Sequence, residues 1–120
     1  DLLALVPSNA LPPARRMRRR GGFQRVFDAG RRAHGRHLTI VFAPSSGAAT
    51  RLGIVASRKI GGAVVRNRAK RLIREAFRTG KQPGATLDLV VIPKPSAAKL
   101  TAAELARDYA DTVRRLQLSK

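Results

Sequence analysis

The stretch VVRNRAKRLIREAF, residues 64–77, decides the fold of this 120-residue chain because it predicts an amphipathic helix at its centre. Apolar side chains recur in it at helical spacing and form one continuous stripe: Val65, Ala69, Leu72, Ile73, Ala76 and Phe77. Polar and basic side chains fall on the opposite arc, which extends one residue further: Asn67, Lys70, Arg71, Arg74 and Arg78. Gly61 and Gly62 break the chain before the helix, and Gly80 ends it. The stretch predicts a helix with one face in a core and the other strongly basic.

Apolar segments on both sides of this helix predict a small sheet. Residues 37–44 and 51–59 have the pattern of strands, and we expect them to pair as an antiparallel hairpin across a turn at 45–50. Residues 87–93 are mostly apolar, which indicates a third strand that is central or covered on both faces. The basic helix would then join two parallel strands, a crossover that is ordinarily right-handed.

Two further helices complete the predicted domain. Phe23, Val26 and Phe27, followed by Gly30, indicate a short amphipathic helix before the first strand. Thr101 and Glu104 form a capping box. The last helix carries a second apolar stripe: Leu105, Tyr109, Val113 and Leu116. The prediction is an α/β (α+β) sandwich in the order α-β-β-α-β-α, one domain at 15–118 after an irregular N-terminal extension at 1–14.

The net charge of +18 is the strongest functional signal, and its placement is uneven. Residues 14–81 contain 19 Lys and Arg, 16 of them Arg, against two acidic residues, whereas the remaining 52 residues are nearly neutral. Self-repulsion of this size destabilises a compact monomer unless a polyanion neutralises it. The excess of Arg over Lys favours bidentate phosphate contacts and stacking on bases. Nucleic acid is therefore the expected partner, with an anionic membrane surface as the second possibility.

Catalytic groups are scarce in the sequence. The basic region has two acids far apart, and the two histidines, His34 and His37, have no acid within several residues. The chain has no cysteine, no phosphate-binding glycine loop and no apolar run long enough to span a membrane, and its first residues do not resemble a signal peptide. We expect a cytoplasmic protein that binds rather than catalyses, with no metal site of its own.

The basic helix favours RNA over DNA as the ligand. Lys70 and Arg74 are like charges at i,i+4, which destabilise an isolated helix, and Glu75 can relieve only Arg71 or Arg78. An external anion explains such a helix better than a solvated face does. A basic helix between strands, with no dimerising heptad, is not a helix-turn-helix arrangement, so recognition of an RNA backbone by shape fits better.

The segment SRKIGGAVVRNRAKRLIREAF, residues 57–77, resembles the signature of the bacterial ribonuclease P protein subunit. FQRVFDAG at 23–30 resembles the first helix of that family, and KPSAAKLTAAEL at 94–105 resembles its C-terminal region. The resemblance implies a left-handed strand–helix–strand crossover. It also implies a partner RNA that is the catalyst and uses Mg²⁺, with the protein helping that RNA to remove the 5′ leader of precursor tRNA. No membrane, organic cofactor or obligate protein partner is implied.

The resemblance also assigns roles to residues of this chain. Contacts to the catalytic RNA are implied for eight of them: Arg58, Lys59, Arg66, Asn67, Arg68, Lys70, Arg71 and Arg74. Phe23 and Phe27 resemble aromatics that line a cleft for the single-stranded leader, although two Phe at i,i+4 also suit a plain core. Val41 stands where family members often carry a cleft aromatic, which places that stacking contact in doubt.

Three alternative functions would use the same basic residues to bind a different ligand. A structural RNA-binding protein of the ribosomal type is the first alternative, and the R-N-R block with its glycine turn argues against it. An architectural DNA-binding protein is the second, and competition between duplex DNA and structured RNA would separate it. A membrane-surface protein is third, because the helix has no large aromatic face.

Overall fold

The computed structural model describes residues 20–45, 50–80 and 86–118, with side chains from residue 23 to residue 115 within those ranges. The predicted extension at 1–14, most of the turn at 45–50 and the side chain of Leu116 lie outside what is described. The described elements are α1 (Arg20–Ala29), β1 (Arg31–His34), β2 (Leu38–Pro44), β3 (Arg51–Ile54), α2 (Ala63–Thr79), β4 (Leu87–Pro93), a 3-10 helix (Pro95–Lys99) and α3 (Ala102–Leu118). The predicted fold class, a mixed α+β domain, is confirmed.

The four described strands form one mixed sheet in the order β1-β2-β4-β3. β4 pairs antiparallel with β2 and parallel with β3, so the predicted central strand and the predicted parallel pair joined by the basic helix are both confirmed. The left-handed sense of that crossover stays a prediction.

The predicted hairpin between residues 37–44 and 51–59, which contain β2 and β3, is wrong. β4 lies between β2 and β3, because its side chains are buried on both faces, as Val90 and Val91 show with no exposed surface. Such a strand is most stable with a neighbour on each side. The ends of β2 and β3 contact β4 instead of each other: Ser45 N–H donates to Thr86 O at 3.1 Å, and Leu87 N–H donates to the Thr50 hydroxyl at 3.1 Å.

Two further strands, β1 and β3, also differ from the prediction. β1 was not predicted, because three of its four side chains are polar and exposed; it pairs with β2 along one edge of the sheet. β3 ends at Ile54, five residues before the predicted end. Arg58 and Lys59 are therefore exposed residues of the turn before α2 and do not end a strand.

Helices cover the two faces of the sheet unequally. The apolar stripe of α2 and that of α3 pack on one face, where Ile73, Phe77, Leu105 and Tyr109 are buried with the odd-numbered side chains of β4. Among the described helices, α1 is the one that packs on the other face, where it buries Val26 against a small second core. Phe23, Phe27 and Ile92 stay half-buried on this side.

Glycines and caps set where the helices begin and end. Gly61 has φ of 151°, which strains any residue with a side chain. Gly30 ends α1 by donating to Val26 O at 2.7 Å, and a Cβ there would lie 2.7 Å from Phe42 O. The predicted capping box is confirmed: Thr101 N–H donates to Glu104 Oε1 at 2.9 Å, and Glu104 N–H donates to Thr101 Oγ1 at 3.2 Å.

Candidate nucleic-acid interface

Helix α2 separates its apolar and basic faces as predicted. Ala69, Ile73, Ala76 and Phe77 are buried, whereas Asn67, Arg71 and Arg78 are exposed. Arg66, Arg68, Lys70 and Arg74 lie half-buried at the border between the two faces. We call these seven polar residues, together with the turn residues Arg58 and Lys59, the basic face.

The described contacts of the basic face neutralise one of its charges and orient another. Glu75, the only acidic residue of α2, forms its ion pair with Arg78. The guanidinium of Arg68 donates to Leu100 O at 2.8 Å, which ties α2 to the loop before α3 without cancelling the charge. The Nε of Arg66 is buried and has no hydrogen-bond partner in the described part of the chain. Lys70 and Arg71 remain the cations of α2 best placed to meet an external anion.

The start of α2 adds to this positive potential. Gly62 is the N-cap, so no side chain accepts a hydrogen bond from the first-turn N–H groups, and no acidic residue lies in that turn. The N-terminal end of a helix dipole is positive. Arg58 and Lys59 are exposed in the preceding turn. The local charge is thus positive from residue 58 to the middle of α2.

A partly exposed apolar surface lies on the opposite face of the sheet, beside α1. Phe23, Phe27 and Ile92 are half-buried there and pack against a buried floor: Val26, Val41, Ala43 and Val90. Val55 continues the ladder of β3 by donating to Val91 O at 3.0 Å, and 37% of its surface is exposed. We call this the α1 groove.

The three residues predicted to line a leader cleft come together in the α1 groove. The rings of Phe23 and Phe27 pack against the floor and keep part of their surface exposed. Val41 has no exposed surface, so it supports the rings from beneath and offers no face to a ligand. Phe23 and Phe27 are therefore the residues of the predicted cleft that keep exposed surface.

A buried carboxylate fixes α1 against the sheet. Asp88 has no exposed surface; Arg51 Nε donates to its Oδ1 at 2.9 Å, and Arg51 Nη2 donates to its Oδ2 at 2.8 Å. Arg25 of α1 also donates to Oδ2 and reaches Pro44 O at 3.1 Å. We call these three residues the Asp88 clamp, since it joins α1, β3 and β4.

The Asp88 clamp keeps its carboxyl ionised. Burial acts to raise the pKa of Asp88, but the hydrogen bonds and charge of Arg51, with smaller contributions from Ser45 and Arg25, outweigh burial and hold the pKa below its ordinary value. Sequence reasoning missed the clamp, although one acid inside the apolar segment LDLVVIP was a signal for it.

The two histidines lie where α3 holds the β1–β2 turn. Asp108 accepts hydrogen bonds from the N–H groups of Arg36 at 3.0 Å and His37 at 2.9 Å. The Nδ1 of His37 lies 2.9 Å from the Ser96 hydroxyl, and His34 is exposed. Asp108 thus lies near the histidines in space though not in sequence, but its carboxylate is occupied by the backbone N–H groups of Arg36 and His37.

Within the described residues, no three His, Cys, Asp or Glu side chains lie close enough together to hold a metal ion.

The chain is similar to known ribonuclease P proteins along most of its length. The model of the family described as ribonuclease P matches residues 11–117. The ribonuclease P protein component of Syntrophus aciditrophicus is 37% identical over 99 residues, which cover 82% of this chain and 83% of that protein. The component from Desulfovibrio desulfuricans is 41% identical over 103 residues, which cover 83% of this chain and 75% of that protein.

Solved structures agree with the sequence comparison. The ribonuclease P protein of Staphylococcus aureus superposes with a TM-score of 0.79 at 28% identity, over 86% of this chain and 95% of that one. The protein from Thermotoga maritima gives a TM-score of 0.75 at 30% identity, over 83% and 96% of the two chains. None of the described helices is both long and apolar enough to cross a membrane. By sequence and by fold, this chain belongs to the family of ribonuclease P protein components.

Proposed function

We propose that this chain is the protein subunit of a ribonuclease P particle, which binds a catalytic RNA and the 5′ leader of precursor tRNA and assists magnesium-dependent endonucleolytic removal of the leader. The observation that carries the proposal is the pairing of two surfaces on one small domain. A basic face lies on α2, where Glu75 is the only acidic residue and pairs with Arg78, and a partly exposed apolar surface with two aromatic rings lies on the other side of the sheet.

The basic face is suited to a folded RNA backbone. Guanidinium and ammonium groups of Arg71 and Lys70 can contact phosphates and release the counterions that condense on RNA. The half-buried Arg66 and Arg68 sit at the base of this face, where Arg68 is already oriented by Leu100 O. We assign the catalytic RNA to this face.

The α1 groove is suited to a single strand. Unpaired bases stack on aromatic side chains, which is worth about 1–3 kcal/mol per base and does not depend on sequence. A duplex has no free base faces to offer, so the groove discriminates in favour of the leader. We assign the leader to Phe23 and Phe27, with Val41 beneath them.

The chemistry is assigned to the RNA, and the particle as a whole is the enzyme. The buried carboxylates Asp88 and Asp108 are engaged by arginines and by backbone N–H groups. The described residues do not form a cluster that fits a metal ion, so the magnesium ions of the proposed reaction are assigned to the RNA and the substrate. We place the particle in the cytoplasm, with precursor tRNA as its substrate.

A structural RNA-binding protein of the ribosomal type is the alternative function. It would use the basic face in the same way, but it would have no use for a groove that holds an unpaired strand. Dependence of binding on the leader therefore separates the two functions.

Replacing Phe27 with leucine is expected to lower the affinity of the reconstituted particle for precursor tRNA by about 5- to 150-fold, the loss of one stacked base. Leucine retains most of the packing on Val41 and Val26, so the protein should stay folded. The measurement is the Kd of the particle for precursor tRNA and for mature tRNA, with affinity for mature tRNA unchanged.

Phe42→Leu is the matched control, because Phe42 is half-buried on the opposite face of the same sheet. It should leave the difference between precursor and mature tRNA intact. Equal losses for the two substrates in Phe27→Leu would assign Phe27 to the core and remove the leader from this groove.

A further inference from the structure

Arg32 extends the α1 groove from the edge strand. It is exposed on β1 and lies directly opposite Val41 in the antiparallel register, so its side chain is on the groove face of the sheet. Its guanidinium carbon lies over the ring of Phe27, 6.0 Å from the centroid. An arginine and an aromatic ring thus lie one above the other on this face of the sheet.

The spacing between these two groups is close to that of a base sandwich. Carbon atoms in contact lie about 3.5–4.0 Å apart, so the two planar groups are too far apart to touch fully. A flat base between two planes needs about 7 Å, twice that contact distance. Because Arg32 is exposed and has a long, flexible side chain, a shift of its tip by about 1 Å would open the required gap.

The charge of Arg32 has no acidic partner in the described part of the chain. Among the described residues, no carboxylate lies within ion-pair distance of it, whereas Arg25 and Arg51 on the same face are both bound to Asp88. Guanidinium groups stack on bases and carry the charge that a neighbouring phosphate needs. Val41, across the strand pair, is buried and has no surface to contribute.

We propose that Arg32 is a substrate-contacting residue that holds one unpaired leader base against the ring of Phe27. This inference rests on the proposed function, since it names the second wall of the site assigned to the leader. The base is gripped through its two faces, so the contact tolerates any base, and the charge of the guanidinium lies beside the leader backbone.

The test is a double-mutant cycle in the particle reconstituted with a bacterial ribonuclease P RNA. Arg32→Ala is expected to lower affinity for precursor tRNA about 2- to 30-fold, with mature tRNA unaffected. Combining it with Phe27→Leu should cost much less than the product of the two single effects, because both side chains grip one base. Arg31→Ala is the matched control. It removes the same charge, but Arg31 lies opposite Phe42 and its side chain is therefore on the other face of the sheet.

Arg32→Lys separates stacking from charge alone. Lysine keeps the charge but has no planar face. The loss of affinity for precursor tRNA in Arg32→Lys, expressed as a change in log Kd, should therefore be at least half of the loss in Arg32→Ala. Full rescue by lysine, or independent effects in the cycle, would overturn the sandwich. If the unmodified particle prefers precursor to mature tRNA and Arg32→Ala leaves that preference undiminished, Arg32 does not contact the leader and the proposed function stands. If the unmodified particle has no preference, the proposed function fails and the inference fails with it.

Discussion

Replacing Asp88 with alanine is expected to lower the free energy of unfolding by about 3 kcal/mol. Removing one partner of a buried ion pair costs about 3–5 kcal/mol, and the lower end applies because the side chains of Arg25 and Arg51 keep 38% and 30% of their surface exposed. The loss should appear as a lower midpoint in urea at an unchanged slope. It should also weaken leader binding, since α1 carries Phe23 and Phe27.

Asp111→Ala is the control for this stability prediction. Asp111 pairs with Arg114 at 3.5 Å, but both side chains are largely exposed, at 47% and 69%. Exposed pairs contribute between about 0 and 1 kcal/mol, so the midpoint should barely move. Equal losses in Asp88→Ala and Asp111→Ala would contradict the importance of the Asp88 clamp.

The Asp88 clamp also predicts a dependence on pH. Because its pKa is lower in the folded than in the unfolded protein, its stabilisation is complete above about pH 4, the ordinary range of a carboxyl group, and is lost as pH falls through the folded pKa. The difference in unfolding free energy between the unmodified protein and Asp88→Ala should be constant near neutral pH and shrink below about pH 4. A difference that grows in acid would mean that the carboxyl is not held ionised.

Replacing Lys70 and Arg71 together with alanine is expected to weaken binding of the catalytic RNA about 30-fold near 0.15 M salt, which is the effect of losing two phosphate contacts. Each phosphate contact contributes nearly one unit to the slope of log K against log salt, so the slope should become shallower by about two. These two residues give a cleaner test than Arg68, whose guanidinium also bonds to Leu100 O and contributes to the fold. Filter binding or fluorescence titration over a salt series gives both quantities.

Arg107→Ala combined with Arg114→Ala removes the same charge from the exposed side of α3. This control should change the affinity and the slope much less, because α3 lies outside the basic face. Similar effects for the two double variants would mean that RNA responds to the net charge of the protein and not to the surface of α2.

Sequence reasoning was most successful where local chemistry decides the structure. The stripe of α2, the capping box of Thr101 and Glu104, and the chain break at Gly61 depend on neighbours within a few residues, and all three were predictable. β4 was predictable because a strand that is apolar on both faces has few other places in a small sheet.

Long-range pairing was the part that the pattern could not predict. Two strands close in sequence favour a hairpin, and nothing local in residues 37–59 indicates that β4 inserts between them. For the same reason the Asp88 clamp could not be predicted, since Arg51 and Arg25 lie 37 and 63 positions before Asp88 along the chain. The contact of Arg32 with Phe27 could not be predicted either, since it depends on the unpredicted strand β1.

Cleavage of precursor tRNA over a magnesium series tests the central claim most directly. The assay compares a bacterial ribonuclease P RNA alone, the RNA with this protein, and the protein alone. The account predicts that the protein lowers the magnesium concentration needed for cleavage by the RNA and that the protein alone cleaves nothing. Magnesium-dependent cleavage by the protein without RNA, or a magnesium requirement that the protein leaves unchanged, would contradict it.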